Sequence, residues 1–182
     1  EEVLSKGAYI MQEELFNFEN EIASYLSVKH AIGVGDGTMA IFCSLMASGI
    51  GKGDEVIVPA HTFVSSVAAI YHVGAKPILV DCGKDHLIDA GSVENAINEK
   101  SKAIMPVQLN GRVANMDPIV ELANRNNLLI IEDSCQAFGA SYKGNYAGTF
   151  GEAGTFSFFP AKTLGCFGDG GAVITDSDEI AE

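Results

Sequence analysis

Positive charge is scarce in this sequence. Eleven Lys and Arg stand against 24 Asp and Glu, a net charge of −13 over 182 residues. Such a surface argues against DNA, RNA or anionic membrane as the main partner, because each is held by a positive face. It leaves room for a phosphorylated ligand, which backbone amides can hold inside an acidic protein. Cysteine is sparse as well. Cys43, Cys82, Cys135 and Cys166 form no CxxC pair and are expected to be reduced thiols of a cytoplasmic protein. The most apolar stretch, 56–80, is interrupted by two prolines, His61, His72 and Lys76, so no membrane span is expected. The four histidines, His30, His61, His72 and His86, make neither HxH nor HExxH, and no metal site is expected. No GxSxG elbow is present for a Ser–His–Asp hydrolase. The turn Gly33-Val34-Gly35-Asp36-Gly37-Thr38 lacks the third glycine of a dinucleotide fingerprint, and no Gly-Lys-Ser/Thr of a P-loop follows it.

What is present is a regular α/β pattern. Apolar residues make up 47% and charged residues 19%, enough for a buried core without disordered stretches. Leu15, Phe18, Ile22, Tyr25 and Leu26 recur at helical spacing and predict an amphipathic helix over 11–27. The run 30–34 predicts a strand entering the Gly35-Asp36-Gly37 turn, and a helix over 38–48 ends at Gly49. Further strands are predicted at 56–58, 77–80, 103–107 and 128–131. Helices are predicted at 62–73, near 93–97, and from Asp117-Pro118, as N-cap and first-turn proline, to about 126. These strands are continuous apolar runs, the pattern of a mostly parallel sheet buried on both faces. Beyond them, 141–146 reads as a hairpin, and 155–159 and 172–175 as strands flanking a Gly-rich loop. The expected fold class is α/β, three layers (αβα) around a mostly parallel mixed sheet. No internal repeat or linker divides the chain.

Parallel α/β sheets bind ligands at the carboxyl ends of their strands. Gly35 to Thr38, His61-Thr62-Phe63, Asp133 and Gln136 all fall just after predicted strands. Gly37-Thr38-Met39 opens a helix whose free N–H groups, with the Thr38 hydroxyl, suit a phosphate; equally, such a turn can serve only to connect elements. Asp133 closes a buried strand, either as N-cap of a segment starting at Ser134 or as partner of a buried cation. Lys162 lies among apolar and aromatic neighbours, either as a surface lysine or as an amine kept neutral enough to attack an aldehyde.

In sequence order, several pieces converge: Phe18-Glu19 with Tyr25-Leu26, Val28-Lys29-His30-Ala31, Gly37-Thr38-Met39-Ala40, Gly53-Asp54-Glu55-Val56-Ile57-Val58-Pro59 and Thr62-Phe63-Val64. Glu132-Asp133-Ser134-Cys135-Gln136-Ala137, then 151–158, Pro160-Ala161-Lys162-Thr163-Leu164-Gly165 and Gly168-Asp169-Gly170-Gly171 complete the series. The ordered set resembles the DegT/DnrJ/EryC1/StrS family of sugar aminotransferases, enzymes that use pyridoxal 5′-phosphate (PLP) and adopt fold type I, the aspartate aminotransferase-like fold.

The resemblance implies a role for each matching position. Lys162 bonds covalently to PLP as the aldimine lysine and later moves a proton between substrate and cofactor carbons. Asp133 pairs with the protonated pyridine nitrogen. Phe63 lies against a ring face and Gln136 hydrogen-bonds the ring hydroxyl. Gly37, Thr38, Met39 through its backbone N–H, and Ser157 hold the phosphate. Relatives with histidine at the lysine position are sugar dehydratases, so Lys162 favours transamination. Glutamate is the expected amino donor and a nucleotide-linked 3-keto or 4-keto sugar the acceptor, in deoxyamino sugar and polysaccharide biosynthesis. Residues 1–182 are expected to be the N-terminal part of the PLP-binding large domain, without the family's C-terminal small domain, in a homodimer with shared active sites. Two departures stand out: Asp36 replaces a common Ser, and Gln108-Leu109-Asn110-Gly111 replaces a common His-Leu-Tyr-Gly. A PLP- or sugar-binding regulatory relative without turnover stays open, as does a nucleotide-binding α/β domain without PLP.

Overall fold

Helices α1 (Glu2–Lys6) and α2 (Glu13–Leu26) precede an alternation of strands and helices in a computed structural model that describes residues 2–182. The alternation runs β1 (His30–Val34), α3 (Gly37–Ala47), β2 (Glu55–Pro59), α4 (Val64–His72), β3 (Lys76–Val80), α5 (Ala90–Ala96) and β4 (Ser101–Ile104). It continues with α6 (Met116–Asn126) and β5 (Leu129–Asp133). A small hairpin, β6 (Ser141–Tyr142) with β7 (Asn145–Tyr146), leads to β8 (Ala153–Ser157), β9 (Gly171–Thr175) and α7 (Asp178–Ala181).

Seven strands form one sheet in the order β1-β9-β8-β5-β4-β2-β3. Pairs β2–β3, β2–β4, β4–β5 and β5–β8 are parallel, whereas β9 runs antiparallel to both neighbours, β1 and β8. Six strands therefore end on the same edge of the sheet. Right-handed crossovers dictate the layers. The connections through α3 and α4 step one way across the sheet, and those through α5 and α6 step back. The two pairs therefore cover opposite faces, and α3 packs on α4 and α5 on α6. This is the expected three-layer αβα arrangement. With both faces covered, β2 and β9 are buried at every residue.

Local chemistry sets the helix ends. In α6, Met116, Ile119, Leu122 and Ala123 are buried on one stripe, and Asn127 stops the helix in the left-handed region at φ 52°. Asp117 is not the N-cap expected from the sequence. The helix begins two residues earlier, at Met116 after Asn115, and Asp117 pairs with Lys143 of the hairpin. A cation distant in sequence has drawn the carboxylate outward. Strand β4 also stops sooner than the apolar run 103–107 suggested. Pro106 has no N–H for the ladder, and pairing with β5 resumes only at the isolated Val107–Asp133 bridge.

Strand alternation sends Glu132 and Asp133 to opposite faces. Glu132 is completely buried. Its Oε1 accepts from Phe150 N–H (2.7 Å), and its Oε2 from Gln108 Nε2 (2.7 Å) and Gly148 N–H (3.1 Å). Burial pushes its carboxyl above the usual glutamate range, partly offset by the three donors. The folded state thus holds the proton more tightly than the unfolded chain. The resulting stability is full below the ordinary glutamate value and is lost as pH rises through the raised one. Glu132→Ala strands three donors, so a loss of about 3 kcal/mol is expected in urea unfolding, together with disappearance of that pH slope.

Candidate functional site

The ends of β1, β2, β5 and β8 surround a cavity of about 470 Å³, a size suited to a small organic cofactor. Seven of the eight residues expected at a site line it: Gly37, Thr38, Phe63, Asp133, Gln136, Ser157 and Lys162. Met39 does not, and its side chain is exposed.

At the end of β1 the chain turns into α3. Asp36 is the N-cap, with extended backbone, and its Oδ1 accepts from Met39 N–H at 2.8 Å. The Met39 N–H expected to hold a ligand is therefore taken by Asp36. Ala40 N–H donates to Asp36 O. Of the helix's first four donors this leaves those of Gly37 and Thr38, both in the cavity wall. A Cβ on Gly37 would lie 2.7 Å from Ser157 Cβ and 2.8 Å from Cys135 Sγ, so only glycine lets the helix start approach β8 and β5 this closely. Thr38 Oγ1 meets Ser65 Oγ at 2.8 Å, and Ser65 also lines the cavity.

At the end of β2, α4 starts at Val64, two residues later than the apolar run implied. Phe63 takes the N-cap position with its ring 65% exposed at the cavity, an available flat apolar face. Thr62 then lies before the helix, and its hydroxyl reaches Ser66 Oγ at 2.7 Å.

At the end of β5, Asp133 is only 5% exposed. Its Oδ1 accepts from Cys135 N–H at 3.2 Å and its Oδ2 from Ser66 Oγ at 2.6 Å. No α-helix follows for it to cap; 134–140 is a set of turns. Gln136 Oε1 accepts from Asn110 N–H at 3.0 Å, which fixes the amide and leaves its NH2 group for another partner. Asn110, part of the Gln108–Gly111 departure, thus acts on the site through its backbone.

At the end of β8, Ser157 is followed by a tight loop: Lys162 N–H donates to Phe159 O and Cys166 N–H to Phe158 O, both at 2.8 Å. Lys162 is the only basic side chain in the cavity lining, against Asp36, Asp133 and Asp169. It joins none of the six ion pairs among the described residues. Cys135 also lines the cavity. Its thiol is pushed well above the usual range, first by burial and then by Asp133, while Lys162 pulls the other way.

The sequence offered no sign of Ser65 or Ser66. Both lie in the ordinary-looking Val64-Ser65-Ser66-Val67 of a helix, and only the fold brings them to Thr38 and Asp133. His61, at the same edge in sequence, is not in the lining; its ring sits edge-on to His86 at 5.8 Å.

A model of the DegT/DnrJ/EryC1/StrS aminotransferase family matches residues 1–182. The chain is 47% identical over 181 residues to the dTDP-3-amino-3,4,6-trideoxy-alpha-D-glucose transaminase of Streptomyces venezuelae, an alignment covering 99% of this chain and 48% of that protein. It is 46% identical over 183 residues to a Geobacillus stearothermophilus protein named "Pleiotropic regulatory protein", covering 100% of this chain and 49% of the relative. The solved structure of Bacillus subtilis ntda with bound cofactor PMP matches with a TM-score of 0.92 at 39% identity, over 99% of this chain and 41% of that one. The chain spans about half the length of the curated relatives it matches.

Proposed function

Because this chain belongs to the DegT/DnrJ/EryC1/StrS aminotransferase family, we propose that it binds PLP and serves an enzyme that moves an amino group from glutamate to a nucleotide-linked keto sugar. One observation carries this reading: the Lys162 amine and the Asp133 carboxylate line a single cavity, beside a helix N-terminus rich in hydroxyls.

The residues present fit PLP group by group. The Gly37 and Thr38 N–H groups at the start of α3, with the Thr38 and Ser157 hydroxyls, suit the phosphate. Asp133, acceptor-only when ionised, suits a protonated ring nitrogen. The Gln136 NH2 suits the ring oxygen, and the Phe63 face suits the ring plane.

When bound, PLP supplies an electron sink for the carbon that gains or loses the amino group. Lys162 would hold the cofactor through Nζ, and the same amine would carry a proton between the substrate carbon and the cofactor carbon. Asp133 keeps a proton on the ring nitrogen, and Phe63 excludes water from one face. Gly37, Thr38 and Ser157 fix the far end, so the reacting carbon stays within reach of Lys162.

Residues 1–182 serve as the N-terminal part of the PLP-binding large domain, which works with a C-terminal small domain, in keeping with the greater length of the relatives. A second copy completes the site. Phe63 and Val64 are large apolar side chains exposed by 65% and 67% where α4 meets the cavity, surface that a partner subunit would cover. A cytoplasmic setting fits the four free cysteines. No helix among the described residues is long and apolar enough to cross a membrane.

The test supplies PLP, glutamate and a panel of nucleotide-linked 3-keto and 4-keto sugars to the full-length protein. Glutamate is expected to convert bound PLP to PMP, and at least one keto sugar to return an amino sugar detectable by mass spectrometry. PLP binding without conversion would instead support a regulatory role, the kind named for the Geobacillus relative. Failure to bind PLP at all would sink both.

A further inference from the structure

Ser66 has no place in the roles assigned above, yet it is wholly buried and makes one of the shortest contacts of the site. Its Oγ lies 2.6 Å from Asp133 Oδ2, 2.7 Å from Thr62 Oγ1 and 3.4 Å from Phe63 O. The proton inventory settles which group donates. An ionised carboxylate only accepts, and a serine hydroxyl has a single proton. At 2.6 Å that proton goes to Asp133, not to the distant Phe63 carbonyl. The Thr62 hydroxyl must then donate to Ser66 Oγ. The result is a directed chain, Thr62 to Ser66 to Asp133, from a residue of the cavity wall to the buried acid. It closes because the chain turns into α4 just after Thr62, which brings its hydroxyl over Ser66 in the first turn of the helix.

We propose that Ser66, supported by Thr62, is a positioning residue for this site: it fixes the Asp133 carboxylate, so that the proton it shares with the cofactor stays on the ring nitrogen. The inference rests on Asp133 being the partner of that nitrogen. Ser66 holds Oδ2 and the Cys135 N–H holds Oδ1, so the carboxylate plane cannot turn freely. Without Ser66, negative charge concentrates on Oδ2 and the shared proton moves from nitrogen toward oxygen. The cofactor then withdraws electrons less well, which lowers kcat and leaves substrate binding nearly unchanged.

The experiment uses the full-length protein loaded with PLP labelled with 15N in its ring. Ser66→Ala is expected to move the ring 15N resonance from the protonated toward the unprotonated position and to lower kcat about tenfold, with KM changed less than about twofold. Thr62→Val, which leaves the Ser66 hydroxyl without its donor, should move both in the same direction by a smaller amount. Ser66→Cys, a weaker donor of similar size, should fall between wild type and Ser66→Ala. Should Ser66→Ala not fold, the other two variants carry the test. A wild-type 15N position in folded Ser66→Ala, or in both other variants, overturns the proposal. Asp133→Asn separates the two levels of inference. If it moves the resonance while the Ser66 variants do not, only the role of Ser66 fails. If it too leaves the resonance in place, Asp133 is not the partner of the nitrogen.

Discussion

Lys162→Ala is expected to abolish transamination, lowering kcat by at least about 10⁴-fold, the scale of losing a covalent nucleophile that also carries the proton. The fold should be indifferent. Lys162 is half-buried, joins no ion pair among the described residues, and contributes to the loop after β8 through its backbone N–H to Phe159 O, which alanine retains. The loop is held instead by close packing of its own backbone. A Cβ on Gly165 would lie 2.5 Å from Pro160 O, so the turn is closed by a glycine and does not depend on the lysine. Melting temperature should therefore stay near wild type while activity disappears. Borohydride reduction of the PLP-loaded wild type, followed by peptide mapping, should find the pyridoxyl group on the peptide containing Lys162, and on no peptide of the variant. Lys162→Arg should be equally inactive, because a guanidinium does not give up its proton to become a nucleophile. Substantial turnover by Lys162→Ala, or a label on another lysine, would remove the basis of the assigned chemistry.

Asp133→Asn carries the second large effect. The substitution keeps the shape of the side chain and removes its charge. An asparagine can still be satisfied here: its carbonyl accepts from Cys135 N–H, and its NH2 donates to Ser66 Oγ, whose proton can turn toward Phe63 O. Stability is expected to fall by no more than about 1 kcal/mol. Catalysis should suffer far more, by about 10³-fold in kcat, because a neutral amide cannot hold a proton on the ring nitrogen. Urea unfolding and single-turnover conversion of PLP to PMP with glutamate measure the two effects separately. Equal losses in stability and activity would make Asp133 a structural acid.

Much of this molecule was legible from short-range patterns. The alternation of apolar runs with helical spacing foretold each major strand and the layers around them, because burial on both faces leaves a strand no polar positions. The glycine turn before Thr38 pointed to a helix start at the sheet edge for the same local reason. One local signal went unused. Asp36 stood out only as a replacement of a common Ser, yet aspartate is a preferred N-cap, and that preference alone accounts for the loss of the Met39 N–H. The late start of α4 at Val64 was less accessible, since no capping side chain announces it.

Residue spacing determined the kind and order of elements, the buried faces, and, through the order of its motifs, the family to which the chain belongs. Tertiary structure alone decided that β9 inserts antiparallel between β1 and β8, that Glu132 finds its donors at Gln108, Gly148 and Phe150, and that a plain helical serine at 66 reaches the acid at 133. The reason is physical: periodicity tells a side chain which way to face, but the group that meets it there belongs to another segment of chain, and only packing brings the two to hydrogen-bond distance.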